Sequence, residues 1–263
     1  MPNRIDDCFS RLRSQKQKGF IPYICAGDPS LSKTVDISLA LEKAGSGVLE
    51  LGLPFSDPLA DGIVNQLAAQ RALAAGATVR GVLDCVREIR KRSEIPIVLY
   101  TYMNPILRFG IERFHVEAEG AGVDGLLILD LPPEEDIDQS SSNLIHVRLI
   151  APTTPPERIV QIVKGARGFL YYVSREGVTG ARETVVSSLG EKVSQLRKLS
   201  SLPVAVGFGI STREQAREVA LHADAVVVGS AIVSKIAEHG ANADLVGRVV
   251  GFVKPLVEAI KAP

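Results

Sequence analysis

The stretch "EKAGSGVLELG", residues 42 to 52, ends a helical pattern, turns on small residues and runs into an apolar strand pattern. The same order recurs in "EGAGVDGLLILD" at 119 to 130 and in "ALHADAVVVGSA" at 220 to 231. Each copy places a helix before a buried strand, which is the repeating unit of an alternating α/β fold. This weak internal repeat favours a chain built from successive strand and helix pairs.

Eight apolar, β-rich runs alternate with helical patterns along the chain. They are apolar almost without interruption, as expected when both faces of a parallel strand are buried. We predict an α/β fold, a single (β/α)8 TIM barrel with an extra N-terminal helix and a short phosphate-binding helix after the eighth strand. An open doubly wound sheet is the alternative, but no GxGxxG fingerprint follows the first strand. The runs span residues 20–27, 47–55, 96–104, 125–132, 146–154, 169–175, 202–211 and 225–232.

The composition suits one domain over residues 1–263 that binds a small molecule. The 30 basic and 30 acidic residues balance, and no basic run is long enough for a nucleic-acid or membrane binder. The odd, widely spaced Cys8, Cys25 and Cys85 predict neither a disulfide framework nor a metal site, and the scattered histidines add none. The N-terminal segment is charged throughout, unlike a secretory signal, so we expect a cytoplasmic protein.

Glu50 is the first candidate catalytic residue. Val48, Glu50 and Gly52 share one face of the second run, while the leucines between them share the other and should meet the helices. Glu50 then points into the barrel, where Gly52 leaves room for a ligand. An unpaired interior carboxyl tends to have a raised pKa, which suits a group that gives and takes a proton near neutrality. The alternative is neutralisation by a buried base, and Arg148 is the only Lys or Arg in the first five runs.

Asp61 is the second candidate, because active sites of such barrels lie in the loops after the strands. It ends the stretch "LPFSDPLADG", in which Pro54, Pro58 and Gly62 limit the backbone without giving it regular structure. Such a loop can act as a lid. From local sequence alone, Asp61 is equally well the N-cap of the helix that follows. Two carboxylates form an acid/base pair only if a substrate lies between them.

Glycine-rich loops after the last two strands predict a phosphate site. Gly207 and Gly209 follow the seventh strand, and Gly229 and Ser230 follow the eighth, where barrels of this kind commonly hold a phosphate. A helix that starts at Ser230 would present unpaired N–H donors to the anion. The alternative is that these glycines only permit tight turns.

Five motifs together resemble those of the tryptophan synthase α subunit. They occur in the order of that family, and the resemblance runs from the first helix to the last. The motifs are "ELGLPFSDPLADG" at 50–62, "DLPPEE" at 130–135, "SREGVTGA" at 174–181, "GFGIS" at 207–211 and "GSAIV" at 229–233.

The resemblance implies a carbon–carbon lyase of L-tryptophan biosynthesis. Its reaction is the retro-aldol cleavage of indole-3-glycerol phosphate into indole and glyceraldehyde 3-phosphate. Indole then passes through a tunnel to a β subunit that carries pyridoxal phosphate, so no cofactor is expected in this chain. The family's usual assembly is an α2β2 heterotetramer, which we expect here too.

The resemblance also implies roles for individual residues. Glu50 would shuttle protons, Asp61 would sit at the indole N–H, and Tyr171 matches the family tyrosine near Glu50. Thr179 matches the residue that closes a loop over Asp61. The phosphate cradle of the family falls on Gly180, Gly209, Gly229 and Ser230.

Two further sets complete the predicted site. Aromatic residues at strand ends can line a flat apolar pocket, although each is also a plausible core residue. The predicted indole pocket consists of Tyr23, Tyr100, Tyr102, Leu127 and Phe208. The predicted lid consists of Pro54, Phe55, Ser56, Asp57, Arg175, Gly177 and Thr179.

The chain departs from the family pattern beside the lid and in the indole pocket. Tyr100 stands where Leu is frequent, and Tyr23 and Cys25 stand where Phe and Thr are common. Both carboxylates and the phosphate loops are spared, so we expect binding and chemistry to survive, whereas the rate and the signalling to the partner are left open. The other departures are Gly47, Ile63, Val64 and Asn65.

Two other functions stay open at the level of sequence. One is a related phosphate-binding barrel, such as an isomerase of histidine or tryptophan biosynthesis, which would lack the "PFSDPLADG" loop. The other is a weakly catalytic subunit that mainly binds and activates a β partner. Cleavage of the substrate by the chain separates these possibilities.

Overall fold

Every predicted apolar run contains a parallel strand in the computed structural model, which describes residues 3–135, 142–173, 182–207 and 209–261. The strands are β1 Gly19–Cys25, β2 Leu49–Gly52, β3 Ile97–Thr101, β4 Gly125–Ile128, β5 Ile145–His146, β6 Arg148–Ile150, β7 Leu170–Val173, β8 Val204–Gly207 and β9 Ala225–Val228. The helices are α1 Arg4–Ser14, α2 Leu31–Lys43, α3 Ile63–Ala74, α4 Val79–Arg90, α5 Met103–Phe109, α6 Ile111–Ala121, α7 Pro156–Lys164, α8 Arg182–Leu199, α9 Arg213–His222, α10 Ser230–His239 and α11 Leu245–Lys261.

The strands form one sheet in the order β5-β4-β3-β2-β1-β9-β8-β7-β6. The two end strands are consecutive in the chain and only Val147 separates them, so the sheet curves round into a barrel. The fifth predicted run is therefore observed as two short strands. Its first half pairs with β4, Val147 still donates to the carbonyl of Leu126 at 2.9 Å, and its second half pairs with β7. The (β/α)8 prediction is confirmed.

Side chains alternate between the barrel interior and the helix layer, as the second run predicts. Val48 packs inside the barrel with Val98 and Val227, whereas Leu49 and Leu51 pack outward among helix residues. Full burial of an aliphatic side chain contributes about 1.5–3 kcal/mol, so the register that turns the leucines outward is strongly favoured. This register places Glu50 on the interior face.

The extra N-terminal helix covers one end of the barrel. Asn3 caps α1 by accepting a hydrogen bond from the N–H of Ile5, and its Nδ2 donates to the carbonyl of Asp124 at 2.8 Å. Ile5 and Phe9 join the interior cluster, where the Phe9 ring lies 5.3 Å from that of Phe169. The strand ends opposite α1 remain open. Among the described residues, no helix is both long and apolar enough to cross a membrane.

Candidate active site

A cavity of about 600 Å³ lies at the carboxyl ends of the strands, a volume in the range of small-molecule sites. Strand side chains form its walls, and the loops after β2, β8 and β9 form its rim. The predicted site residues that line it are Glu50, Asp61, Tyr171, Tyr23, Tyr100, Gly209, Gly229 and Ser230.

Glu50 stands in the middle of β2, with Tyr23 and Val98 beside it in register on the neighbouring strands. Its side chain is buried, with 2% of the residue exposed, and in the described part of the chain Oε1 has no hydrogen-bond partner. Burial, and then the negative charge of Asp61, raise the pKa of Glu50 to about 8. No Lys or Arg of the described residues forms an ion pair with Glu50, so the proposed neutralisation by a base finds no support.

Asp61 is held by two phenols, one from within β3 and one from the residue that directly follows this strand. The hydroxyl of Tyr100 donates to Oδ1 and that of Tyr102 donates to Oδ2, both at 2.8 Å. Nδ2 of Asn65 adds a weaker bond to Oδ1 at 3.3 Å. The carboxylate of a loop residue is thereby fixed to the strand wall.

The alternative role of Asp61 as a helix cap is excluded by the geometry. Gly62, not Asp61, is the N-cap of α3, and no side chain makes the capping hydrogen bond. The backbone of Asp61 is fixed instead by its N–H, which donates to the carbonyl of Pro58 at 3.0 Å, and by Nε2 of Gln66, which donates to its carbonyl at 2.8 Å. The side chain of Asp61 is therefore free to face the cavity.

The phenols of the cavity stay in their neutral form. Burial raises the pKa values of Tyr23, Tyr100 and Tyr171 well above the ordinary value, and the charges of Glu50 and Asp61 add to this for Tyr23 and Tyr171. The rings also support one another, since those of Tyr23 and Tyr100 meet edge to face at 4.9 Å. Neutral phenols can donate hydrogen bonds to a carboxylate or to a substrate.

Two glycines make room for these phenols rather than for a ligand. A Cβ on Gly52 would lie 2.5 Å from the hydroxyl oxygen of Tyr23, and one on Gly207 would lie 2.8 Å from that of Tyr171. The space expected above Gly52 is therefore filled by Tyr23. The prediction of an open position there was wrong, because the neighbouring strand supplies a side chain that reaches across.

The rim of the cavity after β8 and β9 has the features of an anion site. Gly229 is the N-cap of α10, which begins at Ser230 with no side-chain cap. Ile232 already donates its N–H to the carbonyl of Gly229 at 2.8 Å, so among the described residues the N–H groups of Ser230 and Ala231 are the ones available to a ligand. Gly209 has a φ of +71°, a conformation that favours glycine. Gly209, Gly229 and Ser230 line the same cavity as the two carboxylates.

The model of the family described as tryptophan synthase alpha chain matches residues 9–260. The chain belongs to the tryptophan synthase α chain family. A relative of that name from Opitutus terrae is 49% identical over 98% of this chain and 99% of its own length. Another, from Geobacter sulfurreducens, is 47% identical over 98% of this chain and 99% of its own. The crystal structure of tryptophan synthase subunit alpha from Legionella pneumophila superposes with a TM-score of 0.92, at 39% identity over 99% of both chains.

Members of the tryptophan synthase α family are lyases of tryptophan biosynthesis and pair with a β subunit. The alternative of an isomerase barrel is therefore set aside. Among the described residues, no group of three His, Cys, Asp or Glu side chains could hold a metal ion.

Several residues predicted from the family pattern lie near the cavity without lining it. Tyr102 donates a hydrogen bond to Asp61, and the rings of Phe55 and Tyr102 pack with their centres 5.5 Å apart. Leu127 is buried in the interior cluster below the cavity, among residues that pack against α1. In the lid, Pro54 is buried, while the exposed Ser56 and Asp57 hydrogen-bond to each other. Predicted residues outside the described ranges are Arg175, Gly177, Thr179, Gly180 and Phe208.

The sequence reasoning missed several lining residues. Leu129 lines the cavity two residues beyond Leu127, and the alternation along that run could have found it. Asn65, noted only as a departure from the family, lies against Asp61. Other lining residues that were missed are Leu149, Ala151, Pro152, Thr153, Val173 and Val227.

Proposed function

We propose that Glu50 and Asp61 perform the α reaction of tryptophan synthase, the retro-aldol cleavage of indole-3-glycerol phosphate into indole and glyceraldehyde 3-phosphate. The observation that carries the assignment is that both carboxylates face one cavity, with Glu50 buried and Asp61 held by two phenols. The anion site on the rim of this cavity suits the phosphate of the same substrate.

Glu50 acts first as an acid and then as a base. Its protonated carboxyl gives a proton to the ring carbon that bears the side chain, which leaves a positive charge on the ring nitrogen. The carboxylate then takes the proton of the side-chain hydroxyl, the carbon–carbon bond breaks, and its electron pair returns to the ring. A pKa of about 8 allows both forms near neutrality, and such a group is typically worth about 10²- to 10⁴-fold in rate.

Asp61 stabilises the charge that forms between these two proton transfers. Its carboxylate accepts a hydrogen bond from the ring N–H and so favours the tautomer in which the bond breaks. The phenols of Tyr100 and Tyr102 hold it in place before the substrate binds. Tyr171, which is half-buried in the wall of the same cavity and whose pKa the charge of Glu50 helps to raise, is proposed to orient that carboxyl. Thr179 and the lid residues that follow β7 in sequence close over the bound substrate.

Gly209, Gly229 and Ser230 bind the phosphate through backbone N–H groups and the α10 N-terminus, with Gly180 as a further donor. Acid/base chemistry of this kind needs no cofactor in this chain. We further propose an α2β2 assembly in the cytoplasm, with pyridoxal phosphate on the β subunit. The three cysteines are buried as free thiols, which agrees with a reducing compartment.

Indole release tests this function directly. The chain contains no Trp, so the fluorescence of indole compounds can be excited without a background from the protein. We expect the wild-type chain alone to release indole and, with a β subunit and serine, to form the other product, glyceraldehyde 3-phosphate, faster; Glu50→Gln and Asp61→Asn should lose both activities. A wild-type chain that is silent in both settings but stimulates the β reaction from added indole would instead be an activating subunit.

A further inference from the structure

The two phenols that hold Asp61 come from positions 39 and 41 residues further along the chain and contact different oxygens. Tyr102 also accepts a hydrogen bond from the N–H of Ala60 at 3.1 Å, so it fixes the lid backbone as well as the carboxylate. The hydroxyl of Tyr100 has Asp61 as its hydrogen-bond partner within the described ranges. The two tyrosines are therefore not equivalent, because only Tyr102 supports the loop itself.

The ring of Tyr100 is fixed by its surroundings. Its backbone pairs with Gly52 on one side and with Leu127 on the other, in the interior of the parallel sheet. Its ring meets that of Tyr23, which is 5% exposed, edge to face. The hydroxyl of Tyr100 is thus presented to Asp61 from a rigid strand, which is the arrangement that holds a side chain within a narrow range of orientations.

The hydrogen bonds on Asp61 leave one acceptor position open. An ionised carboxylate has about four acceptor positions, two on each oxygen. Within the described ranges, Oδ1 accepts hydrogen bonds from Tyr100 and Asn65, whereas Oδ2 accepts one from Tyr102. The position that these described donors leave open lies on Oδ2, where a donor from the substrate can bind.

We propose that Tyr100 is a positioning residue for the α reaction. By occupying Oδ1 it sets the plane of the Asp61 carboxylate and directs the ring N–H of the substrate to Oδ2. This proposal rests on the proposed role of Asp61 as the acceptor of that N–H. Tyr100 lines the cavity, and the role proposed for its hydroxyl passes through Asp61 and not through contact with the reacting atoms.

Tyr100→Phe tests the proposal, because Phe keeps the ring that packs against Tyr23 and removes only the hydroxyl. Because the lost hydrogen bond was made to a charged group, we expect kcat to fall by roughly 10- to 150-fold. The KM for indole-3-glycerol phosphate should change by less than about threefold, since the phosphate contacts are untouched. The thermal unfolding midpoint shows whether the variant is folded.

A binding measurement separates positioning from a general structural effect. Indole and benzothiophene have nearly the same shape, but only indole carries a ring N–H. We expect wild type to bind indole about tenfold more tightly than benzothiophene, Tyr100→Phe to lose most of this preference, and Asp61→Ala, which removes the acceptor, to lose all of it. Both ligands are measured by equilibrium competition, which needs no turnover.

Each outcome decides one claim. If Asp61→Ala keeps the preference for indole, the proposed role of Asp61 is wrong. If Asp61→Ala loses the preference while Tyr100→Phe keeps both the preference and the kcat of wild type, the role of Asp61 is supported and the positioning role of Tyr100 is refuted. A lower kcat in Tyr100→Phe with an intact preference also refutes it, because the loss would not pass through Asp61.

Discussion

Glu50 and Asp61 face the same cavity, and the charge of Asp61 adds to burial in raising the pKa of Glu50 to about 8. The larger cause is burial, which disfavours the ionised form whatever its neighbours carry. Glu50 is therefore mainly protonated at neutral pH. The phenols of Tyr100 and Tyr102, in contrast, donate hydrogen bonds to the carboxylate of Asp61. This difference between two like groups provides an acid and an acceptor within one site.

The activity should fall as the pH rises through about 8. The pKa of Glu50 is raised to about 8 from 4.5, so the acid form is present at neutral pH and is lost above this value. Because the first proton transfer needs the acid form, kcat/KM should decline on the alkaline side. A pH–rate profile of indole release measures this, and a rate that continues to rise through the same range would contradict it.

Glu50→Gln should stabilise the fold at alkaline pH while it abolishes activity. A carboxyl whose folded pKa is raised stabilises the fold below its unfolded value near 4.5, and this contribution is lost as the pH rises through about 8. Glutamine cannot ionise, so the variant should unfold at a higher temperature than wild type above that pH, with a smaller difference at acidic pH. Thermal unfolding on both sides of the transition measures the effect.

Glu94→Gln is the matched control for this comparison. Glu94 is exposed and pairs with Arg4, and this hydrogen bond lowers the pKa of Glu94. The control should therefore gain no stability at alkaline pH. An equal gain in both variants would show that the burial of Glu50 is not the cause.

Gly52→Ala should disturb the site although the residue carries no functional group. The added Cβ would lie 2.5 Å from the hydroxyl oxygen of Tyr23, whose ring is packed against Tyr100. We expect a loss of about 1–3 kcal/mol in the free energy of unfolding, together with a lower kcat. Gly251→Ala in α11 is the control, because nothing lies within 4 Å of its added Cβ, and it should be neutral or stabilising by up to about 1 kcal/mol. Equal stability and activity of Gly52→Ala and wild type would refute this account of Tyr23.

Arg71→Met should destabilise the fold because it leaves the buried carboxylate of Asp28 without its ion-pair partner. Nε and Nη2 of Arg71 donate to the two oxygens of Asp28 at 2.9 and 2.7 Å, and Asp28 is 2% exposed. Since Arg71 is partly exposed, we expect a loss of about 2–3 kcal/mol, near the low end for a broken buried pair. Arg87→Met, which breaks an exposed pair with Asp84, should cost less than about 1 kcal/mol. Chemical denaturation compares the two, and equal losses would refute the importance of burial at Asp28.

The sequence was sufficient to predict the barrel because each strand can be recognised from its own apolar run. Apolar runs of strand length and the helical patterns between them identify the (β/α)8 order without knowledge of the partners. The division of the fifth run at Val147 could not be predicted, because it depends on where that strand changes partner from β4 to β7. Partner exchange is a property of the closed barrel and has no local signal in the run.

The parts of the site that depend only on local sequence patterns were predictable. Alternation along β2 placed Glu50 in the interior, as observed, whereas the choice for Asp61 between cap and cavity needed the position at which α3 begins. The phenols on Asp61 lie 39 and 41 residues away, and only the packing of β2 against β3 brings them together. Whether Leu127 lines the cavity or lies below it likewise depends on how far the cavity extends into the barrel, which the local sequence does not determine.

Hydrogen exchange at ring carbon 3 of indole in D₂O tests the central claim most directly, because it follows the proton that Glu50 carries without cleavage of any substrate. Nuclear magnetic resonance of indole incubated with the chain measures the loss of that hydrogen. The account predicts exchange by wild type that is lost in Glu50→Gln, with both proteins folded at the assay temperature. Exchange by Glu50→Gln at the wild-type rate would contradict the assignment of Glu50 as the proton carrier.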